Sequence, residues 1–326
     1  MVAGLRIARL IVACLCVVAS LATSPAARAA DKVIAGTLGG QAPLWPFYIA
    51  MNKGFLAAEG IDFELNFAQS GSGAVQQLTG GSLDVVVSVG MTDPLQAIDK
   101  GAPLALIRVI GDAAPYALVA KPEIKTIADL RGKTISTGSP TDITSVYFEA
   151  MMVANGLKKG DYDVISAGVA AARYAALQAG AAQAAMVLPP LNFRAEQAGY
   201  PTIGLASDYE KRFPFTGMVV HRKWASEHMA VGRRLLAATE KSFAWLADDG
   251  NRAAAVDILV KVGKASKEDA EASYDFLRKI KYFEPTGKMS RQRLATLIAV
   301  EKSRGLTTDS LTVDKLVMPG LGEISD

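Results

Sequence analysis

Short runs of glycine and hydroxyl residues that open helices are the part of this chain with recognisable chemistry in them. Ser70-Gly71-Ser72-Gly73, Thr92-Asp93-Pro94 and Ser139-Pro140-Thr141-Asp142 each lead into a helical stretch. The first turn of a helix leaves its backbone N–H groups without intrahelical partners and carries the positive end of the helix dipole. Such ends hold sulfonate, carboxylate or nitrate without a cationic side chain. One end stabilises an anion by only about 0.3–1 kcal/mol, so several must converge, supported by hydroxyl hydrogen bonds. Ser70, Thr92 and Ser139 are equally suited to capping their own helices, a role worth about 1 kcal/mol each. Asp142 reads first as an N-cap; turned towards a cleft, it would instead bind an amine or a ring N–H and favour a zwitterion or heterocycle. Asp93 poses the same question.

The elements that must position these residues follow from periodicity. From Lys32 onwards strand and helix signals alternate, the mark of βαβ units on a parallel sheet. The spacing predicts strands at 33–36, 62–67, 85–88 and 104–110, then at 134–137, 164–166, 184–188 and 202–205. Helices are predicted at 44–52, 74–79, 92–100 and 143–154, and at amphipathic stretches 231–248, 252–262, 267–279 and 291–304. In open α/β sheets ligands bind beyond the carboxyl ends of the strands. That rule selects the loops Thr37–Pro43, Gln69–Ser72 and Val89–Thr92 in the first array. In the second it selects Gly138–Asp142, the turn before Ala170, and Leu188-Pro189-Pro190. The candidate ligand-binding residues are therefore Gln41, Ala42, Pro43, Trp45, Ser70, Gly71, Gly90, Met91, Thr92, Ser139, Pro140, Thr141, Asp142, Leu188 and Pro189. Trp45 is nearest the first loop and could stack on a flat ligand, although packing is its first reading. Arg173 could reach an anion from a helix start, although a solvated arginine is its first reading, and Tyr147 and Phe148 read as core. With few fixed charges in the loops, a neutral-lined pocket of backbone donors is expected, in which Ser139→Ala and Thr92→Val would weaken binding with little loss of fold.

One pattern occurs twice. Leu78-x-x-Gly81-x-x-Asp84 runs into Val85-Val86-Val87, and Leu177-x-x-Gly180-x-x-Gln183 runs into Ala184-Ala185-Met186-Val187. Each reads as a helix end closed by a left-handed glycine, followed by a strand too apolar to face water. Two copies at matching places predict paired lobes with a cleft between them. The first lobe is expected to comprise residues 31–115 plus 222–326, and the second residues 120–213. Pro115–Ala120 and Phe215–His221 are expected as the two crossings of a hinge. The helical tail is expected to stiffen the first lobe and to take no part in contacting a solute.

Bulk properties narrow the class. The chain has 326 residues, half of them apolar, enough for a large core. Residues 1–30 read as a cleavable export signal: Arg6 and Arg9 precede an apolar run, and Ala27-Arg28-Ala29 offers a small-x-small cleavage site. Its removal takes Cys14 and Cys16, the chain's two cysteines, so a mature product has no thiol, disulfide or thiolate metal site. It also takes Arg6, Arg9 and Arg28, bringing 35 basic residues down to 32 against 32 acidic ones. A balanced charge without basic runs gives no support for nucleic-acid binding. His221 and His228 lack metal-ligand spacing, and no Ser-His-Asp set or phosphate loop is present. No catalytic residue, metal or cofactor is expected.

The ordered landmarks resemble the periplasmic solute-binding proteins of ABC transporters, of the nitrate/sulfonate/taurine type. They are Gly54-Phe55…Glu59-Gly60-Ile61, Ser70-Gly71-Ser72, Leu78-x-x-Gly81-x-x-Asp84, Ala97-x-x-x-Gly101-x-Pro103, Leu130-Arg131-Gly132-Lys133-Thr134-Ile135, Asn155-Gly156-Leu157 and Leu177-x-x-Gly180. Gln183 departs from the pattern, where the family usually has Asp. The loop Gly39-Gly40-Gln41-Ala42-Pro43 matches no ligand class. The resemblance implies a type II periplasmic binding fold: two α/β lobes, each a mostly parallel mixed sheet flanked by helices, joined by two crossover strands. It implies a monomeric periplasmic receptor that closes on a small sulfonate, nitrate or aromatic carboxylate and delivers it to an ABC-transporter permease. The alternatives are a binder of a thiamine-precursor pyrimidine or similar heterocycle, a biosynthetic enzyme on the same fold, and a sensory module. An enzyme would need a catalytic Lys, His or Cys in the cleft, and no candidate loop has one.

Overall fold

The structure, a computed structural model, describes residues 29–39 and 42–325. Residues 1–28, which hold most of the expected export signal, lie outside the described residues, as does the candidate Gln41.

Two five-stranded sheets organise the chain. Strands β1 (Asp31–Leu38), β2 (Ile61–Ala68), β3 (Val85–Gly90) and β4 (Leu104–Gly111) alternate with helices α1 (Trp45–Asn52), α2 (Phe55–Ala58), α3 (Gly71–Thr79) and α4 (Thr92–Asp99). The second sheet contains β5 (Ala117–Ala120), β6 (Thr134–Thr137), β7 (Asp163–Ser166), β8 (Ala184–Val187) and β9 (Thr202–Leu205). Helices α5 (Ile143–Ala154), α6 (Ala170–Gln178), α7 (Leu191–Gln197) and α8 (Ala206–Tyr209) accompany it. The chain then returns to the first sheet as β10 (Thr216–His221). It ends in α9 (Arg222–Glu227), α10 (Met229–Ala247), α11 (Arg252–Gly263), α12 (Lys267–Lys279), α13 (Arg291–Ser303) and α14 (Val313–Leu316).

The strand orders are β2-β1-β3-β10-β4 and β7-β6-β8-β5-β9. They are the same order, because each sheet takes in the strand that arrives from the other. β10 runs antiparallel to β3 and β4, and β5 runs antiparallel to β8 and β9. This refines the expected crossings. Ala117–Ala120 and Thr216–His221 are interior ladder strands, so the connecting backbone is residues 112–116 and 210–215. Strands β3, β4 and β8 are buried at every position, as their unbroken apolar runs require when both faces are covered. Edge strand β7 is more exposed and carries Asp163 and Ser166.

The duplicated pattern has the same geometry in both copies. Leu78 and Leu177 are fully buried, while Gly81 (φ 76°) and Gly180 (φ 77°) take the left-handed conformation just past their helices. Asp84 Oδ2 accepts from the Ile34 N–H (2.8 Å), and Gln183 Oε1 accepts from the Thr134 N–H (2.9 Å). In both places the residue's own N–H donates to the same neighbour's carbonyl, Asp84 to Ile34 O and Gln183 to Thr134 O, each 2.8 Å. The polar side chain thus completes a rung beyond the end of the ladder. An amide oxygen serves that purpose as well as a carboxylate.

Aromatic side chains pack the junction between the sheets. Tyr116 meets Phe215 edge-on (5.2 Å between centroids), Tyr147 meets Phe213 and Phe215 (5.5 and 5.9 Å), and Phe215 reaches Tyr282 (6.2 Å). The apolar core is continuous through this junction, although the sheets remain separate. The C-terminal helices pack on the first sheet's helices and also reach the second lobe. Gln96 Nε2 donates to Thr141 O and to Glu301 Oε2 (both 2.7 Å). Arg304 donates to Pro140 O (3.0 Å) and Ser145 Oγ (2.6 Å), and Arg194 pairs with Asp269 (2.6 Å).

Candidate functional site

A cavity of ≈ 90 Å³ lies where the two sheets' carboxyl-end loops face each other. Most of the wall comes from the loops after strand ends, as the topology requires. From the first lobe come Thr37 and Leu38 after β1, Pro43 and Leu44 of the following turn, Ser70, Gly71 and Ser72 opening α3, Ser88 and Gly90 closing β3, and Asp93 of α4. From the second come Ser139, Asp142, Ile143 and Thr144 after β6, Gly168, Val169, Ala170 and Arg173 after β7, and Leu188 after β8. The connections supply Tyr116 and Phe215, and Thr216 opens β10.

Of the residues expected from sequence, Pro43, Ser70, Gly71, Gly90, Ser139, Asp142 and Leu188 are brought together on this wall. Others are placed elsewhere. Trp45 is fully buried, donates its indole N–H to Ala255 O (2.8 Å) and meets Tyr274 edge-on, which makes it a core residue of the first lobe. Met91 and Pro189 are buried but do not line the cavity, Ala42 lines a neighbouring chamber, and Pro140 and Thr141 line an outer groove. Thr92 is fully buried, and its Oγ1 has no partner among the described residues. The caps follow expectation at Ser70 and Asp142 and depart from it at Thr92 and Ser139. Ser70 caps α3, its Oγ accepting from the Gly73 N–H (3.0 Å). Met91 holds the N-cap position of α4 without a side-chain bond, so Thr92 is its first helical residue. Asp142, not Ser139, caps α5, accepting from the N–H groups of Ser139 (2.8 Å), Thr144 (2.9 Å) and Ser145 (3.3 Å). Asp142 is a cap and a wall residue at once.

The expectation of a neutral lining is corrected. Three charged side chains stand on the wall: Arg173, Asp142 and Asp93. Arg173 is 3% exposed. Its guanidinium lies over the Tyr116 ring (5.4 Å) and donates from Nη1 to Thr144 Oγ1 (3.0 Å), while its buried Nε has no partner among the described residues. Thr144 Oγ1 also meets Tyr116 OH (2.9 Å). Arg173 belongs to the first turn of α6, whose N-cap Val169 offers no side-chain bond. The Ala172 and Arg173 N–H groups donate to Val169 O (3.0 and 3.2 Å), while those of Ala170 and Ala171 have no partner among the described residues. Thr37 Oγ1, fully buried, is a second unpartnered polar atom on the wall.

The two carboxyls differ in their surroundings. Burial holds Asp142 above the ordinary carboxylate range, outweighing the N–H bonds it accepts and the attraction of Arg173. Asp93 is pushed further, to about 7, by burial first and then by Asp142 and Glu301. Its Oδ2 lies so close to Gly71 that the position has no room for a Cβ. Among the described residues nothing donates a hydrogen bond to it.

Ser88 reaches the wall through a local irregularity. Between the Gly217–Val89 and Val219–Val86 pairs the register of β10 against β3 shifts. At this bulge Ser88 takes φ 57°, a left-handed conformation that costs a non-glycine residue about 1–2 kcal/mol. Its Oγ approaches Thr216 Oγ1 (3.5 Å), which in turn meets Tyr282 OH (3.1 Å). Strain of this kind inside a buried strand is a mark of a functional wall. Ser88, Tyr116 and Thr216 carried no sequence signal, since their place depends on long-range pairing. Arg173 carried one, the uncapped helix start at Val169.

Among the described residues no group of three His, Cys, Asp or Glu could hold a metal ion, and no helix is long and apolar enough to cross a membrane.

The family model described as "NMT1/THI5 like" matches residues 41–253. No curated protein matches the chain. Among solved structures, an alkanesulfonate-binding protein of Xanthomonas axonopodis pv. citri bound to MOPS has TM-score 0.73 and 15% identity, covering 90% of this chain and 99% of its own. The ligand-binding component of an ABC-type import system from Staphylococcus aureus has TM-score 0.77 and 15% identity, with 89% and 97% covered. The periplasmic nitrate-binding protein of Synechocystis PCC 6803 has TM-score 0.63 and 18% identity, with 73% and 68% covered. These likenesses establish the two-lobed periplasmic binding fold.

Proposed function

The chain belongs to the NMT1/THI5-like family, and from that premise we propose that it is an exported solute receptor that closes on a compact oxyanion and delivers it to an ABC-transporter permease. The observation that carries the reading is Arg173: a buried guanidinium on the cavity wall with an unused N–H, beside an uncapped helix start. A buried donor left unsatisfied costs about 1–3 kcal/mol, more when charged, and an oxyanion relieves that cost. Sulfonates and nitrate named for the structural neighbours are the first compounds to try.

Cavity size supports a compact charged group over a ring. The ≈ 90 Å³ cavity is smaller than the ~150 Å³ apolar cavity known to admit benzene. Nitrate, or the sulfonate or carboxylate group of a larger solute, fits that space, whereas a ring, of a pyrimidine or of benzoate, would have to widen it. The mechanism is hinge closure about residues 112–116 and 210–215. An anion touching Arg173 on one side and Ser70 or Thr37 on the other binds the closed form better than the open one, which is what a population shift requires.

A second reading is favoured by Asp93 and Asp142, which could accept from an amine or ring N–H. The pH dependence separates the two. With Asp93 near pKa 7, its neutral carboxyl donates to an anion below that pH and its ionised form repels one above it. Oxyanion affinity is therefore level at low pH and falls above pH 7; affinity for an amine-bearing ligand rises over the same range. Calorimetric titration of the mature chain with ethanesulfonate, nitrate, benzoate and an aminopyrimidine at pH 6 and 8 tests this. Binding confined to the aminopyrimidine, or stronger at pH 8, removes the oxyanion reading.

A further inference from the structure

A second chamber, of ≈ 310 Å³, adjoins the first and shares Val169 as a common wall. It is formed by residues next in sequence to inner-wall residues and by the end of α11. Gly39 follows Leu38, Ala42 precedes Pro43 and Ala171 follows Ala170, and Leu259 and Ala265 also line it. Among the described residues its lining is apolar apart from Arg194 and Lys264. Arg194 is engaged by Asp269 (2.6 Å), so it contributes little free charge to the space.

We infer that the outer chamber is a tail site: the solute is an elongated anion whose head fills the inner cavity and whose apolar chain passes Val169 into the outer one. This rests on the oxyanion reading of the inner cavity and narrows its substrate class. Three observations carry it. The inner cavity at ≈ 90 Å³ is well below the ~300–1,000 Å³ of ordinary small-molecule pockets, and the two chambers together reach that range. The polar groups divide unequally: Arg173, Asp93, Asp142 and the hydroxyls line the inner cavity, and side chains of Ala, Val and Leu dominate the outer. The shared wall lies at the start of α6, where Val169, Ala170 and Ala171 present no long side chain to block a methylene chain.

The test is calorimetric titration of the full mature chain with straight-chain 1-alkanesulfonates of two to eight carbons. The expected result is a rise in affinity of about fourfold for each methylene entering the outer chamber, from the free energy of burying a CH₂. Leu191→Trp and Ala265→Phe fill the chamber from two half-buried positions that do not line the inner cavity. Either variant is expected to keep the wild-type affinity for ethanesulfonate and to abolish the gain with length. Ethanesulfonate binding with no gain, or with a gain that both variants leave intact, overturns the tail site while sparing the oxyanion reading. Failure of every alkanesulfonate, ethanesulfonate included, overturns both.

Discussion

The two lobes repeat one construction and diverge only where the ligand would lie. Strand order, the inserted antiparallel strand and the glycine-terminated helix recur in each, and Asp84 and Gln183 complete the same backbone rung. An acid and an amide are interchangeable there because the task is to accept one N–H. The loops beyond the strands are not interchangeable. The first lobe brings Thr37, Ser70, Ser88 and Asp93, and the second brings Arg173 with Asp142 held as a cap. Charge and uncommitted donors have been placed asymmetrically on a symmetric frame. Fold and recognition are thus separable by mutation, lobe by lobe.

The largest expected effect is on the second lobe's cation. Arg173→Met removes a buried charged donor, and hydrogen bonds to charged groups are worth ~1.5–3 kcal/mol, so oxyanion affinity should fall roughly 100-fold. Calorimetry reads the affinity, and the melting temperature checks that the fold survives. A loss below about threefold would move recognition to the first lobe and break the asymmetry.

Asp93→Asn comes next. The folded-state pKa near 7 lies above the ~3.9 of an unfolded Asp, so the native chain holds an extra proton between those values. The ligand-free wild type therefore loses stability as pH rises from about 4 through 7, whereas the Asn variant is spared that loss. The melting temperature of the variant should exceed that of the wild type by an amount that grows from pH 5 to pH 8. Oxyanion affinity, falling up to tenfold per pH unit above 7 in the wild type, should become level. A wild-type affinity already level across pH 6–8 would sink the assignment of Asp93 as the anion's neighbour.

Much of the frame was legible because it depends on local chemistry. The predicted helix 143–154 and strand 202–205 coincide with α5 and β9, and most other elements differ by a few residues at their ends. The strand-end rule pointed to the loops that form the cavity. What it could not supply was which residue of each loop faces inward. A helix turns about 100° per residue, so starting α4 at Thr92 with Met91 as cap sends Thr92 into the core and brings Asp93 to the wall. Burial of Arg173 against Tyr116 and Thr144, and the re-aiming of Ser88 by the β3–β10 register shift, depend on contacts between segments distant in sequence, which no single segment encodes.

The matched glycines sharpen the symmetric half of the comparison. A Cβ at Gly81 would meet nothing within 4 Å, and at Gly180 only Lys121 Nζ at 3.7 Å, so the cost of alanine is the left-handed backbone alone. Gly81→Ala and Gly180→Ala should each destabilise by about 1–2 kcal/mol, equally in both lobes, with affinity unchanged. Denaturant unfolding of the two variants measures this. Costs differing by more than about 1 kcal/mol would mean that the two copies are alike in sequence but not in mechanical role.

The smallest effect is expected at Thr92, the hydroxyl that sequence placed at the ligand. Its Oγ1 is buried without a partner among the described residues, so Thr92→Val exchanges an idle polar group for a methyl of similar size. Stability should hold or rise by up to about 1 kcal/mol, since no partner is orphaned, and affinity should stay within about twofold. Thr144 is the instructive counterpart near the start of α5, its hydroxyl joined to both Arg173 and Tyr116. Two threonines in the first turns of neighbouring helices thus have opposite fates, one idle and one engaged. If Thr92→Val weakened oxyanion binding as much as a wall substitution does, α4 would have to start one residue later, with Thr92 turned towards the ligand and Asp93 away from it.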